Sequence, residues 1–448
     1  MNLKIKNITL GTINNMLATI IIAILTCLSL ILSILFFPKI KIKNKEINTY
    51  WIIGLLGALF MILFQCISFD SVLKSLTSNS SVNPLKILML FISMTILSIF
   101  LDEVGFFRYL ASQASKRAKS SQSTFFLILY LLVSILTIFT SNDIVILTFT
   151  PFICYFAKNT KINPLPYLVA EFAAANTWSM LLIIGNPTNI YLGTSFGIDF
   201  ISYFKVMLVP TLLAGSIEII LIYLLFKKQL KQPIIIEVKE EHIKDKVSLI
   251  IGLVHLFSCL VLLVISSYIN LEMWLISLIS SLSLILCNSI YYLIKKIKFE
   301  SIEHTFIRLP WDLIPFVISM FIIVISLKEQ GISSAISKLL GTNHPIINYG
   351  YSSFLTSNLI NNIPMSVLYS TIPNMTDNTS QLQAIYSSII GSNIGAFLSP
   401  LGALAGIMFT SLINKQNINY SFSSFVKYGI IISIPTLTIA LLGLSIVL

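Results

Sequence analysis

Long apolar segments recur from one end of this 448-residue chain to the other, and they constrain its fold more than any motif does. A helix needs about 20 apolar residues to cross the roughly 30 Å hydrocarbon core of a bilayer. Runs that approach or exceed this length lie at 17–37, 51–69, 85–101, 206–226, 247–269, 274–294 and 425–448. Only 10% of the residues are charged, too few to solvate the surface of a soluble protein. The sequence therefore predicts an all-α polytopic membrane protein with about 10–12 membrane segments.

Positive charge is concentrated in short loops between the apolar runs. The net charge is +11, and lysine and arginine cluster at 39–45, 108–119, 227–246 and 295–308. Such residues accumulate in the cytoplasmic loops of membrane proteins, so the charge indicates topology and not nucleic-acid binding. The abundance of Ile, Asn, Lys and Ser is typical of an AT-rich prokaryotic genome. We therefore expect a multi-pass protein of the bacterial plasma membrane.

A Thr-Ser-Asn triplet occurs twice within apolar sequence, at 140–142 and 356–358. These side chains compete for backbone hydrogen bonds and favour helix caps and breaks. Further breaks that contain proline follow at 185–189 and 398–402. Within a membrane, breaks survive only where protein or a water-filled cavity surrounds them, and corresponding breaks in two halves point to the central site of a transporter. The sequence therefore predicts a secondary transporter.

The two halves of the chain resemble each other beyond the triplets. Residues 92–94 and 318–320 both read Ile-Ser-Met, and each is followed at the same interval by a glutamate and then a glycine. The loop after the first copy is strongly basic and the loop after the second is not, which indicates that the repeats are inverted. We expect a first transmembrane repeat with an N-terminal helix at 1–228, a cytoplasmic linker at 229–246 and a second repeat at 247–448.

The breaks supply the candidate site. A helix that starts inside the membrane at the first triplet would direct free amides and a positive dipole end towards an anionic or oxygen-bearing solute. Asp143 follows directly, and an acid at this depth marks a path for a coupling ion or proton. Gly-Asn-Pro-Thr-Asn at the second break frees carbonyl groups that can coordinate Na⁺ or hydronium. The side chains predicted to bind solute are Ser141, Asn142, Asn186, Thr188, Ser357, Asn358, Asn361 and Asn393.

Each of these features also has a purely structural interpretation. Asp143 is alternatively part of a helix cap near the membrane interface. The second break is alternatively a simple turn between spans, and the second-half residues alternatively form hydrogen bonds that hold neighbouring helices together. Glu218 either relays protons or pairs with a neighbouring helix. The cysteines and histidines are scattered, so neither a metal site nor a set of catalytic residues is predicted.

Together these residues resemble the ArsB-type arsenite and antimonite permeases of the ion transporter superfamily. That superfamily also contains citrate transporters, sodium/proton antiporters and divalent anion–sodium symporters. The resemblance covers roughly residues 50–448 and rests on the motifs at 101–108, 140–151, 184–190, 357–364 and 390–402. It implies two inverted repeats, each with a re-entrant hairpin and a broken helix, and a site between them. It also implies a small solute and coupling to H⁺ or Na⁺ without a cofactor. The protein partners that the resemblance implies are a second copy of the chain, in a homodimer, and a cytoplasmic ATPase subunit.

The leading hypothesis is cation-coupled efflux of arsenite or antimonite, in which Asp143 exchanges a proton. The alternatives within the transporter class are sodium-coupled symport of di- or tricarboxylates such as citrate, and sodium/proton antiport. The breaks contain no arginine or lysine, which favours an uncharged solute such as arsenous acid, or an ion such as Na⁺. A passive channel or a membrane-embedded enzyme is the alternative from another class, and the chain lacks a His-Glu-x-x-His motif.

Overall fold

The computed structural model of the chain describes residues 2–37, 39–42, 45–78, 83–117, 121–233, 243, 245–266, 268–371 and 377–448. Most of these residues are helical, as the apolar composition requires, because backbone polar groups inside a bilayer must be bonded within the protein. A small antiparallel hairpin follows the first helix, in which β1 (Lys39–Ile42) pairs with β2 (Lys45–Asn48).

Within the described part of the chain, ten α-helices precede the predicted linker. They are α1 (Asn2–Phe36), α2 (Tyr50–Leu63), α3 (Phe69–Thr77), α4 (Pro84–Glu103), α5 (Phe106–Arg117), α6 (Gln122–Phe139), α7 (Asn142–Thr160), α8 (Leu165–Trp178), α9 (Pro187–Ser195) and α10 (Phe200–Leu230). The described second half also contains ten helices. They are α11 (Lys246–Val264), α12 (Met273–Lys295), α13 (Glu300–Ile307), α14 (Leu313–Glu329), α15 (Ile332–Leu340), α16 (Pro345–Ile360), α17 (Asn362–Tyr369), α18 (Asn378–Gly395), α19 (Leu404–Lys415) and α20 (Phe422–Val447).

Seven of the described helices are long and apolar enough to cross a membrane: α1, α4, α6, α10, α11, α12 and α20. Helices α14 and α15 make an eighth span if they are counted together, although their axes differ in direction by 79°. The prediction of an all-α polytopic membrane protein is confirmed. The inverted relation of the halves, the re-entrant hairpins and the total of about 10–12 segments stay predictions.

One predicted span is wrong. The apolar run at 51–69 forms α2 over its first part, and the chain then turns through Gln65, which has a φ of +55°, before α3 begins at Phe69. Helix α2 therefore ends within apolar sequence, and Gln65 occupies the left-handed position that follows it. The remaining α2 packs against α14, where the ring of Tyr50 meets that of Phe316 edge-on at 5.1 Å.

The two Ile-Ser-Met segments adopt the same local structure. Both lie inside helices, α4 and α14, and these helices end at Glu103 and Glu329 respectively. The glycines that follow, Gly105 and Gly331, have φ values of +88° and +74°, a region that glycine occupies without steric cost. The short helices α5 and α15 come next. The similarity detected in the sequence therefore corresponds to a repeated helix–glycine–helix unit.

The predicted division into two repeats falls in a region that is described only in part. Helix α10 continues to Leu230, beyond the predicted boundary at 228, and α11 begins at Lys246. The start of the predicted linker folds back onto α6, because the Ser123 hydroxyl donates to the Leu230 carbonyl at 2.8 Å. Residues 234–242 and 244 lie outside the described residues, as do parts of the basic loops at 39–45 and 108–119. The domain boundaries therefore stay predictions.

An ion cluster joins the two halves at one end of the bundle. Arg308, directly after α13, lies 2.7 Å from the carboxylate of Asp102 and also contacts that of Glu103, both at the end of α4. His304 Nδ1 lies 3.4 Å from the second oxygen of Glu103. Burial lowers the pKa of the Arg308 guanidinium, but the two carboxylates outweigh burial and raise that pKa above its ordinary value. The cluster therefore holds α13 against α4.

Replacing Arg308 with glutamine is expected to lower the free energy of unfolding by about 2–3 kcal/mol. The change leaves the Asp102 and Glu103 side chains, which are 7% and 13% exposed, without their cation. The loss is smaller than for a fully buried pair because Arg308 is itself 30% exposed. Thermal unfolding of the purified protein in detergent measures the effect. Arg117→Gln, at an exposed end of α5, is the control, and an equal loss in that variant would contradict the assignment.

Candidate functional site

The first Thr-Ser-Asn triplet breaks the chain between α6 and α7, as predicted. Helix α6 ends before Thr140, Ser141 is extended, and Asn142 begins α7. The Thr140 hydroxyl stays on its own helix and donates to the Leu136 carbonyl at 2.6 Å. Ser141 and Asn142 are both buried, and the Ser141 hydroxyl forms no capping bond. All three residues of the triplet are buried, and Ser141 and Asn142 are the two whose side chains are not bonded back to α6.

Two buried polar atoms at this break have no hydrogen-bond partner among the described residues: Ser141 Oγ and Asn142 Oδ1. The Asn142 amide nitrogen donates to Asn176 Oδ1 of α8 at 3.2 Å. The Asn176 amide nitrogen in turn donates to the Phe172 carbonyl at 2.8 Å. Because buried polar groups are ordinarily paired, the unpaired hydroxyl and carbonyl are the groups best able to bind a solute.

Asp143 occupies the first turn of α7, where it is partly exposed. The helix dipole favours a carboxylate at this position. Asp143 forms no hydrogen bond or ion pair with any other residue that the structure describes. A proton or a mobile cation can therefore match its charge without first displacing a basic side chain.

The Gly-Asn-Pro-Thr-Asn segment also interrupts the helices. Helix α8 ends at Trp178, a short 3-10 turn spans Ile183–Gly185, and Asn186 caps α9. The side-chain oxygen of Asn186, Oδ1, accepts hydrogen bonds from the backbone amide and the hydroxyl of Thr188, each at 3.1 Å. Pro187 occupies the first helical position, where its missing N–H costs nothing. The cap fixes the side chain of Asn186 and leaves its amide nitrogen to face α18.

Asn393, near the end of α18, connects the two halves of the chain at this point. Its side-chain oxygen, Oδ1, lies 3.0 Å from Ser179 Oγ and 3.2 Å from Asn186 Nδ2. Its amide nitrogen donates to Asn189 Oδ1 at 2.7 Å and to the Ile389 carbonyl at 2.8 Å. The side chain thus uses its full hydrogen-bonding capacity, and all its partners except Ile389 belong to the first half.

The second Thr-Ser-Asn triplet lies within the last turn of α16, and the break itself comes later, at Asn361, which has a φ of +73°. The helix persists because apolar Leu-Ile follows the triplet, and it ends where Asn-Asn-Ile-Pro begins. Asn358 Nδ2 donates to the Gly395 carbonyl of α18 at 2.9 Å, and Asn358 Oδ1 accepts from Ser399 at 2.7 Å. Asn361 Nδ2 donates to the Leu401 carbonyl at 3.1 Å. These bonds hold the two second-half breaks together.

One connected set of side chains, which we call the α18 network, joins the first-half breaks to α18. Its members are Asn142, Asn176, Ser179, Asn186, Asn189 and Asn393. Ser179 links the two parts of the set, because its Oγ lies 2.8 Å from the Asn176 carbonyl as well as close to Asn393. Ser357 and Asn358 reach the same end of α18 from the second half, at Gly395. The predicted residues outside the network are Ser141, Asp143, Thr188, Ser357, Asn358 and Asn361, and the roles of all predicted residues stay predictions.

Three members of the α18 network were not among the predicted site residues: Asn176, Ser179 and Asn189. A usable signal was present in their spacing. Ser179 comes three positions after Asn176, and Asn189 three positions after Asn186, which is the spacing that places side chains on one face of a helix. Polar residues that repeat at this interval beside a break are therefore candidates for the same site as the residues of the break.

Two further acids are completely buried in the described structure: Glu171 in α8 and Glu218 in α10. The Thr150 hydroxyl lies 2.9 Å and 3.0 Å from the two carboxyl oxygens of Glu171. The hydroxyls of Tyr130 and Thr177 contact Glu218. Neither acid forms an ion pair with a described lysine or arginine. Both carboxyl groups therefore depend on neutral hydroxyl partners.

The sequence of segment 193–197 matches the Gly-x-Ser-x-Gly nucleophile motif, but the segment does not have the structure of that motif. That motif requires a sharp turn from a strand into a helix. Here Ser195 is the last residue of α9 and leads into a loop. No described histidine donates to its hydroxyl or accepts from it. The segment therefore lacks the geometry of a hydrolase site.

The chain is similar to known membrane transporters. The CitMHS family, described as citrate transporter, matches residues 46–391. The arsenical pump membrane protein of Escherichia coli (strain K12) is 25% identical over 372 residues, which cover 79% of this chain and 85% of that protein. The protein of the same description from Yersinia enterocolitica is 24% identical over 373 residues, with the same coverage of 79% and 85%.

A solved structure has a related fold. The YdaH transporter of Alcanivorax borkumensis matches with a TM-score of 0.52 and covers 96% of this chain and 97% of its own. The two sequences are 11% identical, so the likeness concerns the fold alone. The arrangement of the described helices therefore resembles that of the YdaH transporter.

Proposed function

This chain belongs to the citrate transporter family, and we propose that it exports arsenite or antimonite in exchange for a cation. Family membership and the arsenical pump relatives make it a secondary transporter of anion-like solutes. Its apolar helices make it a multi-pass protein, which fits the bacterial inner membrane. The arsenite assignment draws on the relatives' descriptions and on the chemistry of the α18 network.

The observation that carries the proposal is the uncharged character of the polar groups at the breaks. The α18 network consists of amides and a hydroxyl, and beside it Ser141 Oγ and Asn142 Oδ1 are buried and unpaired among the described residues. Arsenous acid is uncharged near neutral pH, and its hydroxyl groups both donate and accept hydrogen bonds. A neutral solute of this kind suits a site that offers donors and acceptors without a cation.

Asp143 is the residue that we assign to cation coupling. It lies one position after Asn142 and has no competing basic partner among the described residues. In the proposed cycle, the carboxylate takes up a proton from the side of high proton concentration and returns it on the other side. The solute moves in the opposite direction during the same cycle, so the proton gradient drives its export.

A second candidate is sodium-coupled symport of a di- or tricarboxylate. Helices α7 and α19 pack against each other, and both start without a side-chain cap. The amides of their first turns, at the positive ends of the helix dipoles, would attract a carboxylate. The description of the family as citrate transporter favours this candidate, and the absence of a cationic side chain from the α18 network favours arsenite.

Proteoliposomes with an acidic interior are expected to accumulate arsenite, and Asp143→Asn is expected to reduce this accumulation by about tenfold or more. The substitution keeps the size of the side chain but removes the group that exchanges the proton. The measurement compares arsenite, citrate and succinate uptake under an imposed pH gradient and under an imposed Na⁺ gradient.

Asp70→Asn is the matched control, because Asp70 also lies in the first turn of a helix but is exposed. We expect this variant to transport arsenite like the parent. Sodium-driven citrate or succinate uptake without arsenite uptake would overturn the arsenite assignment and support the second candidate. Arsenite accumulation that survives in Asp143→Asn would remove Asp143 from the coupling step.

A further inference from the structure

Glu218 is completely buried in α10, and its carboxyl oxygens face side chains of two neighbouring helices. Oε1 lies 3.0 Å from the hydroxyl of Tyr130 in α6, and Oε2 contacts the hydroxyl of Thr177 in α8. A buried carboxylate without a cationic partner is costly, and acids at such positions ordinarily serve a proton or cation path. Glu218 therefore requires a functional or structural explanation beyond packing.

The helices packed around Glu218 bring no charged group to it within the described structure. The other titratable residues on α10 and on the helices that contact it are Tyr130 in α6, Tyr167 and Glu171 in α8, Tyr203, Lys205, Tyr223, Lys227 and Lys228 in α10, Lys246, His255 and Cys259 in α11, and Lys427 and Tyr428 in α20. Of these, Tyr130 is the one within hydrogen-bonding distance of Glu218. The negative charge of an ionised Glu218 would therefore be neutralised by a bound proton and not by a basic side chain.

A protonated Glu218 would give each contact around Tyr130 a hydrogen of its own. The Tyr130 oxygen lies 2.9 Å from the Gly215 carbonyl, 3.0 Å from Glu218 Oε1 and 3.2 Å from Trp178 Nε1. The indole N–H donates to the hydroxyl, and the single hydroxyl hydrogen reaches either Gly215 or Glu218. With a proton on Glu218, its O–H donates to Tyr130, and Tyr130 donates to Gly215. The distances around Tyr130 therefore fit the neutral acid, in which no hydrogen has to be shared.

Loss of the proton would change this pattern. The carboxylate would accept the hydrogen of Tyr130, so the Gly215 carbonyl would lose its side-chain donor. The Thr177 hydroxyl, which already contacts Oε2, would become a charge-assisted donor. The two protonation states of Glu218 thus differ in the partner of the Tyr130 hydroxyl on α6 and in the strength of the bond from Thr177 on α8.

The changed bonds lie next to the α18 network. Thr177 and Trp178 form the last turn of α8, and the following residue, Ser179, contacts Asn393. A shift of this turn towards or away from Glu218 would therefore move Ser179 relative to α18. The protonation of Glu218 is in this way linked to the place where the two halves of the chain meet.

We propose that Glu218 is a second proton-binding site of the transporter, distinct from Asp143, and that its protonation favours contact between the end of α8 and the α18 network. The step is the association of a proton with the Glu218 carboxylate, which gives the carboxylic acid and changes no other covalent bond. The inference deepens the proposed function and rests on it only for the role of the proton in transport, because the binding site itself does not depend on the solute.

Trp178 provides a direct readout, since its indole N–H bonds to the hydroxyl that contacts Glu218. The chain has four tryptophans, so a variant with phenylalanine at positions 51, 274 and 311 retains only Trp178. We expect the emission maximum of this variant, purified in detergent, to shift as the pH is varied, and Glu218→Gln to abolish the shift. Infrared difference spectroscopy on the same samples is expected to show a protonated carboxylic acid band that Glu218→Gln removes.

Two further variants make the test specific. Glu171→Gln changes the other buried acid, which is bonded to Thr150 of α7, and is expected to retain the Trp178 shift. Tyr130→Phe retains Glu218 and removes the connecting hydroxyl, so it is expected to lose the Trp178 shift and keep the infrared band. This variant also tests the proposal if Glu218→Gln does not give a monodisperse protein.

A Trp178 emission that does not respond to pH, or that still responds in Glu218→Gln, would overturn the proposal. Neither readout involves a solute, so the two proposals can fail separately. If arsenite is not transported but the pH response depends on Glu218, the arsenite assignment fails and the Glu218 site stands. If a pH gradient drives arsenite transport while both spectroscopic signals are absent, the Glu218 site fails and the assignment of function stands.

Discussion

Replacing Asn393 with alanine is expected to abolish arsenite transport and to lower the free energy of unfolding by about 2–6 kcal/mol. The change removes the acceptor of Asn186 and the donor to Asn189, which are 1% and 0% exposed. Each buried polar group that loses its partner costs about 1–3 kcal/mol. Ser179 is less affected, because the Asn176 carbonyl remains within reach of its hydroxyl.

Thermal unfolding and proteoliposome transport measure these two effects. Asn414→Ala is the matched control, since it makes the same change at an exposed position near the end of α19. It is expected to unfold and transport like the parent. A stable and active Asn393→Ala protein would show that the contact between α18 and the first-half breaks is not needed.

Replacing Gly391 with alanine is expected to lower the free energy of unfolding by about 3 kcal/mol or more, the upper end of the usual cost of overpacking. Helices α16 and α18 approach each other closely at this position. A Cβ atom on Gly391 would overlap the Ser353 hydroxyl and the Gly350 carbonyl of α16. The side chain can rotate away, but the backbone carbonyl can move only if the helices separate.

The double variant Gly391→Ala with Ser353→Ala tests this explanation. Removal of the Ser353 hydroxyl relieves one overlap and leaves the one with the Gly350 carbonyl, so we expect partial recovery of the melting temperature. Thr379→Ala, at an exposed position in the first turn of α18, is the control for a change on the same helix. Full recovery in the double variant would show that the helices are not in backbone contact at this point.

The class of the protein and the existence of the breaks could be predicted from the sequence because both depend on local chemistry. Apolar length identifies a membrane-spanning helix, and runs such as Thr-Ser-Asn or Gly-Asn-Pro-Thr-Asn indicate that a break lies nearby. The position of a break is less certain. The second triplet remains helical and the chain breaks at Asn361, because the residues that follow each triplet decide whether the helix continues.

The partners of the site residues could not be predicted, because they depend on how distant helices pack. Asn186 and Asn393 are 207 positions apart, and no local pattern indicates that they share a hydrogen bond. The run at 51–69 was misread for a related reason. Its hydropathy is continuous, so the pattern of apolar residues does not show that α2 ends at Leu63 and that the chain turns at Gln65.

The amide composition of the contact at Asn393 has a consequence for how the protein can move. Each asparagine carries both a donor and an acceptor, so Asn186, Asn189 and Asn393 can exchange roles or partners as one helix slides past another. An ion pair at the same place would have to separate opposite charges in a medium of low dielectric constant, at a much higher energy. A junction built of amides therefore allows many small displacements with a low barrier between them, and no member of the junction has to gain or lose a charge as it moves.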